Sequence, residues 1–410
     1  MVDNMLRQEV WVDVVIVGGG IAGLWLLTKI RQAGFTAILL ESGALGSGQT
    51  YKSQGIIHGG LKYALQGAIT QEACVMADMP ARWRASLAGS GDIDLSDVRV
   101  LSQAQHLFAP NKFTAKLAGF FASKSLTSAV HHLNKENIPL IFQHAAFKGD
   151  VYALDEMVLD VPSLILSLVK RNQDVIFKVE PISCDEMHVD CEHNLKTLTI
   201  YQNGKALNVH AKQYIFAAGS GNETMVKKWN DPVVAMQRRP LHMVLLKMPM
   251  LPTLYAHCLG FGARPRMTIT THFTQNGESI WYVGGALAEE GVTRSPASQI
   301  AAAEKEMQAV FPWINFSNAE WATVRVDRAE PKVASGLKPE GSYLKHRNNQ
   351  LLVWPTKLAL APKLADDVLM HLKTMQFTHE WCDVRALRTW PMPSLSKPVW
   401  EEAFSCKSVA

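Results

Sequence analysis

The 410-residue sequence predicts an α/β protein, α+β overall, with a parallel-sheet domain built from discontinuous segments. A second domain with a mainly antiparallel sheet is predicted beside it. Three observations lead there. A β-branched run at 13–17 passes through a glycine-rich turn into a helical pattern. Apolar strand-like runs return far downstream, at 214–218 and 350–354. Between those two, residues 241–247, 267–273 and 279–283 alternate apolar with polar or mixed positions, the mark of an antiparallel sheet with one buried face.

Taken in order, the strand at 13–17 is followed by a helix over 21–33 with Leu24, Leu27 and Ile30 on one face. Gly34 is placed to end that helix. A second buried strand at 36–40 delivers Glu41, which completes a βαβ unit. Residues 42–60 are rich in Gly, Ser and Thr and read as an extended loop; 61–88 then turns helical. Residues 92–147 mix short strands and helices in no order that periodicity fixes. An amphipathic helix is expected over 161–170, a strand over 175–177, and a hairpin over 197–210 turning at Asn203-Gly204. The strand at 214–218 runs into Gly219-Ser220-Gly221, and the strand at 350–354 precedes a helix over 361–372 with Pro362 in its first turn. The predicted division is 10–90, 148–222 and 322–390 for the first domain, 91–147 and 223–321 for the second, and 391–410 as a surface tail.

Composition narrows the function. With 41 basic against 37 acidic residues and a formal charge of +4, there is no dense basic face of the kind nucleic acid requires, so no nucleic-acid partner is expected. Anionic small molecules need only a few local cations. The six cysteines form no CxxC pair and show no metal or disulfide spacing, which predicts a reducing cytosolic setting. The first eleven residues lack a signal peptide's apolar run, and no window nears the ~20 apolar residues of a transmembrane helix. Peripheral contact with a membrane stays compatible with this. His131-His132 has no acidic neighbours, so no metal site is expected; Arg238-Arg239 reads as a solvated pair before a strand.

Gly18-x-Gly20-x-x-Gly23 between a strand and a helix, with Glu41 ending the next strand, is the dinucleotide fingerprint of a Rossmann-type domain. Gly18 permits the tight turn, Gly20 lets the backbone approach a pyrophosphate, and Gly23 permits close helix–strand packing. The phosphates rest on the helix N-terminus and Glu41 receives a ribose. A nicotinamide enzyme would continue directly into further βα units. Here a Gly/Ser-rich loop intervenes, and a strand ending in Ala217-Ala218-Gly219 returns later, which favours FAD.

The chain resembles the glycine oxidase/D-amino acid oxidase superfamily of flavoproteins. Residues 49–63, Gln-Thr-Tyr-Lys-Ser-Gln-Gly-Ile-Ile-His-Gly-Gly-Leu-Lys-Tyr, look most like two branches, the FAD-dependent glycerol-3-phosphate dehydrogenases and the L-2-hydroxyglutarate oxidases. The first branch carries Ile-His-Gly-Gly-Leu-Arg-Tyr, so Lys62 departs from it but keeps the charge. Further likenesses fall at 216–221, at Trp321-x-x-x-Arg325, and at Pro355-Thr356-Lys357-Leu358, which is similar to a Gly-Gly-Lys-Leu run. The resemblance implies FAD against Gly18, Gly20, Ile21, Ala22 and Gly23 of the turn and Glu41 and Ser42 beyond it. In the loop it implies Thr50, Ser53, Gln54, Gly55, His58 and Gly59, and downstream Ala218, Gly219, Thr356, Lys357 and Leu358.

Oxidation of an alcohol by a flavin needs a base for the hydroxyl proton. His58 lies on the loop that the resemblance sets beside the flavin, and an imidazole titrates in the suitable range. Covalent attachment to the flavin, as in some relatives, and a structural role are the alternatives. Lys62, Tyr63 and Arg325 are expected to converge on an anionic substrate group, with Arg328 as the substitute one turn on. Lys357, between a strand and a helix start, is placed to stabilise negative charge on the reduced flavin. The expected reaction is hydride transfer to FAD from a secondary alcohol beside an anionic group, of the glycerol 3-phosphate or 2-hydroxy acid type. Amine or amino-acid oxidation, and a flavin-containing binding protein without turnover, are the alternatives. The electron acceptor, whether oxygen, a quinone or a protein, is left open by the sequence.

Overall fold

The computed structural model describes residues 8–59, 71–110, 130–231, 234–260, 265–332, 339, 341–375 and 382–405. Two eight-stranded sheets organise them. In the first, Gln8–Val17 lies between Lys205–Phe216 and Ala37–Glu41, with Gln350–Trp354 beyond one neighbour and Ile176–Lys178 beyond the other; all these pairings are parallel. Strands covered on both faces are apolar on both, and the sequence shows it. Ile16, Leu39 and Ile215 face one core, whereas Val15, Ile38 and Tyr214 face the other. Helices Ile21–Gln32, Val161–Lys170 and Ala361–Thr374 close the first of these faces through Leu24, Leu27, Leu164, Leu168, Leu364 and Val368.

The local signals hold. Gly34 follows the first helix at φ +91°, and Asn203 and Gly204, at φ +50° and +74°, make the hairpin turn joining Leu195–Gln202 to Lys205–Phe216. Asp160 caps Val161–Lys170 by accepting from Ser163 N at 3.2 Å.

The second sheet runs Glu320–Pro331, Met236–Lys247, Ser279–Gly284, Pro265–Phe273, Ala256–Leu259, Gln105–Phe108, Val151–Leu154 and Val130–His132. Its pairings are antiparallel except that of Ala256–Leu259 with Gln105–Phe108. Residues 151–154 and 322–331, expected with the first domain, pair in this second sheet. Glu320–Pro331 finds an antiparallel partner along its whole length in Met236–Lys247. Arg238 and Arg239 sit within that strand, not before it, and are ion-paired with Asp327 and Glu330. Strands Gln105–Phe108 and Val130–His132 give order to the stretch whose sequence fixed none.

The C-terminal residues, expected as a surface tail, are docked. Leu45 N donates to Ser394 O at 2.8 Å, and Ser396 N donates to Leu45 O at 3.0 Å. Helix Val399–Ser405 buries Val399 and Trp400 against the second sheet. Trp400 stacks on His272 with ring centroids 4.3 Å apart. Burial pushes the His272 imidazole down to about 3, and its Nδ1 has no hydrogen-bond partner among the described residues. The folded state therefore holds a neutral ring that the unfolded chain protonates below its ordinary range. Stability is whole above that range and falls by about 1.4 kcal/mol per pH unit as acid is added, until the folded ring itself titrates. Thermal melts from pH 6 to 4.5 should show a steeper drop in midpoint for the native protein than for His272→Gln.

Among the described residues, no helix is long and apolar enough to cross a membrane.

Candidate active site

The glycine turn is built by steric necessity. Gly18 takes φ +114°, and a Cβ there would stand 2.6 Å from Ala217 O. A Cβ on Gly23 would stand 1.9 Å from Gly18 O, so the helix reaches the strand only because that position is bare. Ile21–Gln32 begins at Gly20 with no side-chain cap of its own, and Thr50 Oγ1 accepts from Ile21 N at 3.1 Å. The helix thus presents backbone N–H groups and its positive dipole end.

A cavity of about 880 Å³ opens from this turn and runs between the two sheets. Gly18, Gly20, Ile21 and Ala22 form its floor, and Glu41 and Ser42 its near wall. Thr50, Ser53, Gln54, Gly55 and His58 of the loop line it, as do Ala218, Gly219, Thr356, Lys357 and Leu358. Gly23 and Gly59 do not line it. The Glu41 carboxylate accepts from Gly19 N and Gly43 N, which fixes it at the end of its strand. Lys62 and Tyr63 lie outside the described residues.

Two glutamines tie the loop to the second sheet. Gln49 Oε1 accepts from Ala329 N at 3.0 Å, and the Gln54 amide donates to Thr268 O at 3.0 Å and Tyr282 O at 2.9 Å. Gln54, expected as a cofactor contact, thus spends its donors on positioning the loop.

Arg325 does not line the cavity. It is exposed, and its guanidinium donates to Val292 O and Arg294 O. Strand alternation explains the displacement: 325 lies on the outward face, whereas 326 and 328 turn inward. Arg328 lines the cavity, with its Nε held by Arg239 O at 2.9 Å, and makes no ion pair among the described residues. Burial, with the charge of Arg239 added to it, pushes its guanidinium below the usual range; Glu289 and Glu330 oppose this.

The sequence reading missed the partner of His58. Glu156 is 5% exposed, in the link between Val151–Leu154 and Val158–Leu159. One of its oxygens lies 3.1 Å from His58 Nδ1, and the other accepts from Gly59 N at 2.9 Å. His257 Nε2 stands 3.9 Å from the same carboxylate, while His257 Nδ1 lies 2.9 Å from Thr268 Oγ1. Burial alone would push the Glu156 carboxyl up. The two imidazoles outweigh it, by charge whenever either ring is protonated and by the close His58 contact in either state, and hold the group ionised, well below the usual carboxylate range. No local pattern singled it out, because Glu156 directly follows a second acidic residue, Asp155, which is exposed.

A glycine turn on a helix N-terminus, an acidic strand end and a long cavity reaching a second sheet define a dinucleotide-dependent oxidoreductase. The family described as DAO, FAD dependent oxidoreductase, matches residues 13–344, and the chain belongs to it. A probable FAD-dependent oxidoreductase from Pseudomonas aeruginosa is 44% identical over 98% of this chain and 100% of its own length. A crystal structure of an FAD dependent oxidoreductase from the same organism superposes with TM-score 0.82 at 40% identity, covering 97% of this chain and 99% of that one. Glycine oxidase from Geobacillus kaustophilus (TM-score 0.65, 15% identity, 95% and 99% covered) shares the fold. So does the glycerol-3-phosphate dehydrogenase from Bacillus halodurans complexed with FAD (TM-score 0.58, 14% identity, 92% and 67% covered).

The cofactor is FAD, and the residues present fit it. Beyond the bare turn, Ser53 lies on the cavity wall, and its Oγ is buried with no hydrogen-bond partner among the described residues. Glu41 ends the second strand of the βαβ unit, the position at which dinucleotide-binding folds of this type carry an acidic residue for a ribose.

Proposed function

We propose that this enzyme oxidises a secondary alcohol standing beside an anionic group, with glycerol 3-phosphate and 2-hydroxy acids as the substrate types. The observation that carries the reading is His58 on the cavity wall, its Nδ1 engaged by a buried carboxylate, which leaves Nε2 as the acceptor for a hydroxyl proton. Bound FAD supplies a two-electron acceptor for the substrate's hydride. Arg328 binds and orients the anionic group, since a guanidinium can pair in bidentate fashion with carboxylate or phosphate. Lys357 and the helix start behind it favour negative charge at their end of the cavity.

Anaerobic mixing with a panel of hydroxy acids, glycerol 3-phosphate and amino acids, followed by flavin absorbance, tests the reading. Bleaching by an alcohol supports it; bleaching by amino acids alone sinks it. An amine carries its own lone pair and needs no base, so His58 would then be dispensable. Arg328→Leu is expected to raise KM more than it lowers kcat. Loss of a charged hydrogen bond, about 1.5–3 kcal/mol, corresponds to roughly a 10–150-fold fall in kcat/KM. Arg328→Lys should recover only part, because an ammonium cannot make the two-pronged contact.

A further inference from the structure

We propose that Glu156 is a positioning residue that fixes His58 as its Nδ1–H tautomer and braces His257 on the same carboxylate, so that His58 Nε2 alone receives the substrate's proton. The inference rests on the reading of His58 as the base. The geometry begins with what an ionised carboxylate can do. It accepts and never donates, so the imidazole nitrogen 3.1 Å from it must carry the hydrogen. Its other oxygen takes Gly59 N at 2.9 Å, the backbone next to the ring it holds. One side chain thereby grips the loop twice, at a ring and at the adjoining peptide, and removes the freedom of that ring to swing or flip.

His257 completes the arrangement from the second sheet. Its Nδ1 is tied to Thr268 Oγ1, and its ring lies 6.3 Å from that of His58 at 21°, nearly parallel. The donor atoms of His58, Glu156 and His257 all fall within 4.8 Å of one another. In the state ready to take a proton both rings are neutral, and the group, buried at Glu156 and His257, carries one negative charge. When the substrate O–H bond breaks, its proton goes to His58 Nε2, the C–H pair leaves as hydride to FAD, and the carbonyl forms. The group is then an imidazolium against a carboxylate, with no net charge in a poorly solvated place. The carboxylate thus favours the state in which the proton has been taken, and it does so without touching substrate.

The test uses the FAD-bound enzyme labelled with ¹⁵N-histidine, with His58→Gln to assign the ring. Long-range ¹H–¹⁵N spectra of the native protein should show His58 protonated at Nδ1 and bare at Nε2. In Glu156→Gln that preference should be lost. Turnover on whichever of glycerol 3-phosphate and L-2-hydroxyglutarate reduces the native flavin should fall about 10²–10⁴-fold, with KM little changed. Glu156→Asp, which keeps the charge but draws it back, should fall between the two and carries the test if Glu156→Gln does not retain FAD. An unchanged His58 tautomer in these variants overturns the proposal, as does a metal ion present at one per chain that leaves in Glu156→Gln. If His58→Gln is inactive while Glu156→Gln turns over normally, the base stands and its positioning by Glu156 falls. A fully active His58→Gln removes the base itself.

Discussion

Substitution of His58 by glutamine is expected to lower kcat/KM about 10²–10⁴-fold, the usual worth of a positioned general base, while the protein keeps its flavin. The loss should appear in kcat, because the proton is transferred only as the C–H bond breaks and the ring adds little to ground-state binding. Glutamine preserves much of the bulk at a ring that is about one-third exposed, so the core is not disturbed. Single-turnover flavin reduction by the substrate found in the anaerobic screen is the direct measurement. Reduction at the native rate would remove the alcohol chemistry and leave amine oxidation as the reading.

The second large effect is structural. Gly23→Ala is expected to yield protein with little or no flavin, because the new methyl would lie 1.9 Å from Gly18 O, with Leu39 Cδ1 also within 3.3 Å. Neither the strand nor the turn can yield cheaply, since both are backbone in a buried parallel sheet. Overpacking of this kind costs about 1–3 kcal/mol, and relief requires the helix to retreat from the strand. Retreat also withdraws the helix N-terminus from the pyrophosphate. Flavin absorbance per chain, compared with the melting temperature, separates the two consequences. A folded variant with full flavin content would refute the packing argument.

The βαβ unit, the hairpin and the helix Ala361–Thr374 were legible because each is a local pattern: apolar runs, a glycine fingerprint, an Asn-Gly turn. The cavity-lining loop was legible through resemblance, and its described residues mostly line the cavity. Arg325 was not, because motif likeness carries no register and a strand reverses direction at every residue. Three positions on, Arg328 points the other way. Glu156 and His257 escaped for a different reason. They reach His58 from segments about 100 and 200 residues away, and contacts of that range leave no periodic trace. Docking of the C-terminal residues was hidden likewise, since its main anchor is a single tryptophan meeting a buried histidine.

The amide tethers of Gln49 and Gln54 have a consequence for how the holoenzyme is put together. The cavity-lining stretch is stitched to the far sheet at Ala329, Thr268 and Tyr282, so it cannot peel back alone like a flap without breaking those bonds. FAD lying in the cavity between the two sheets would then act as a bolt between them. A chain that has lost it should loosen at the seam first, with each half still keeping its own core.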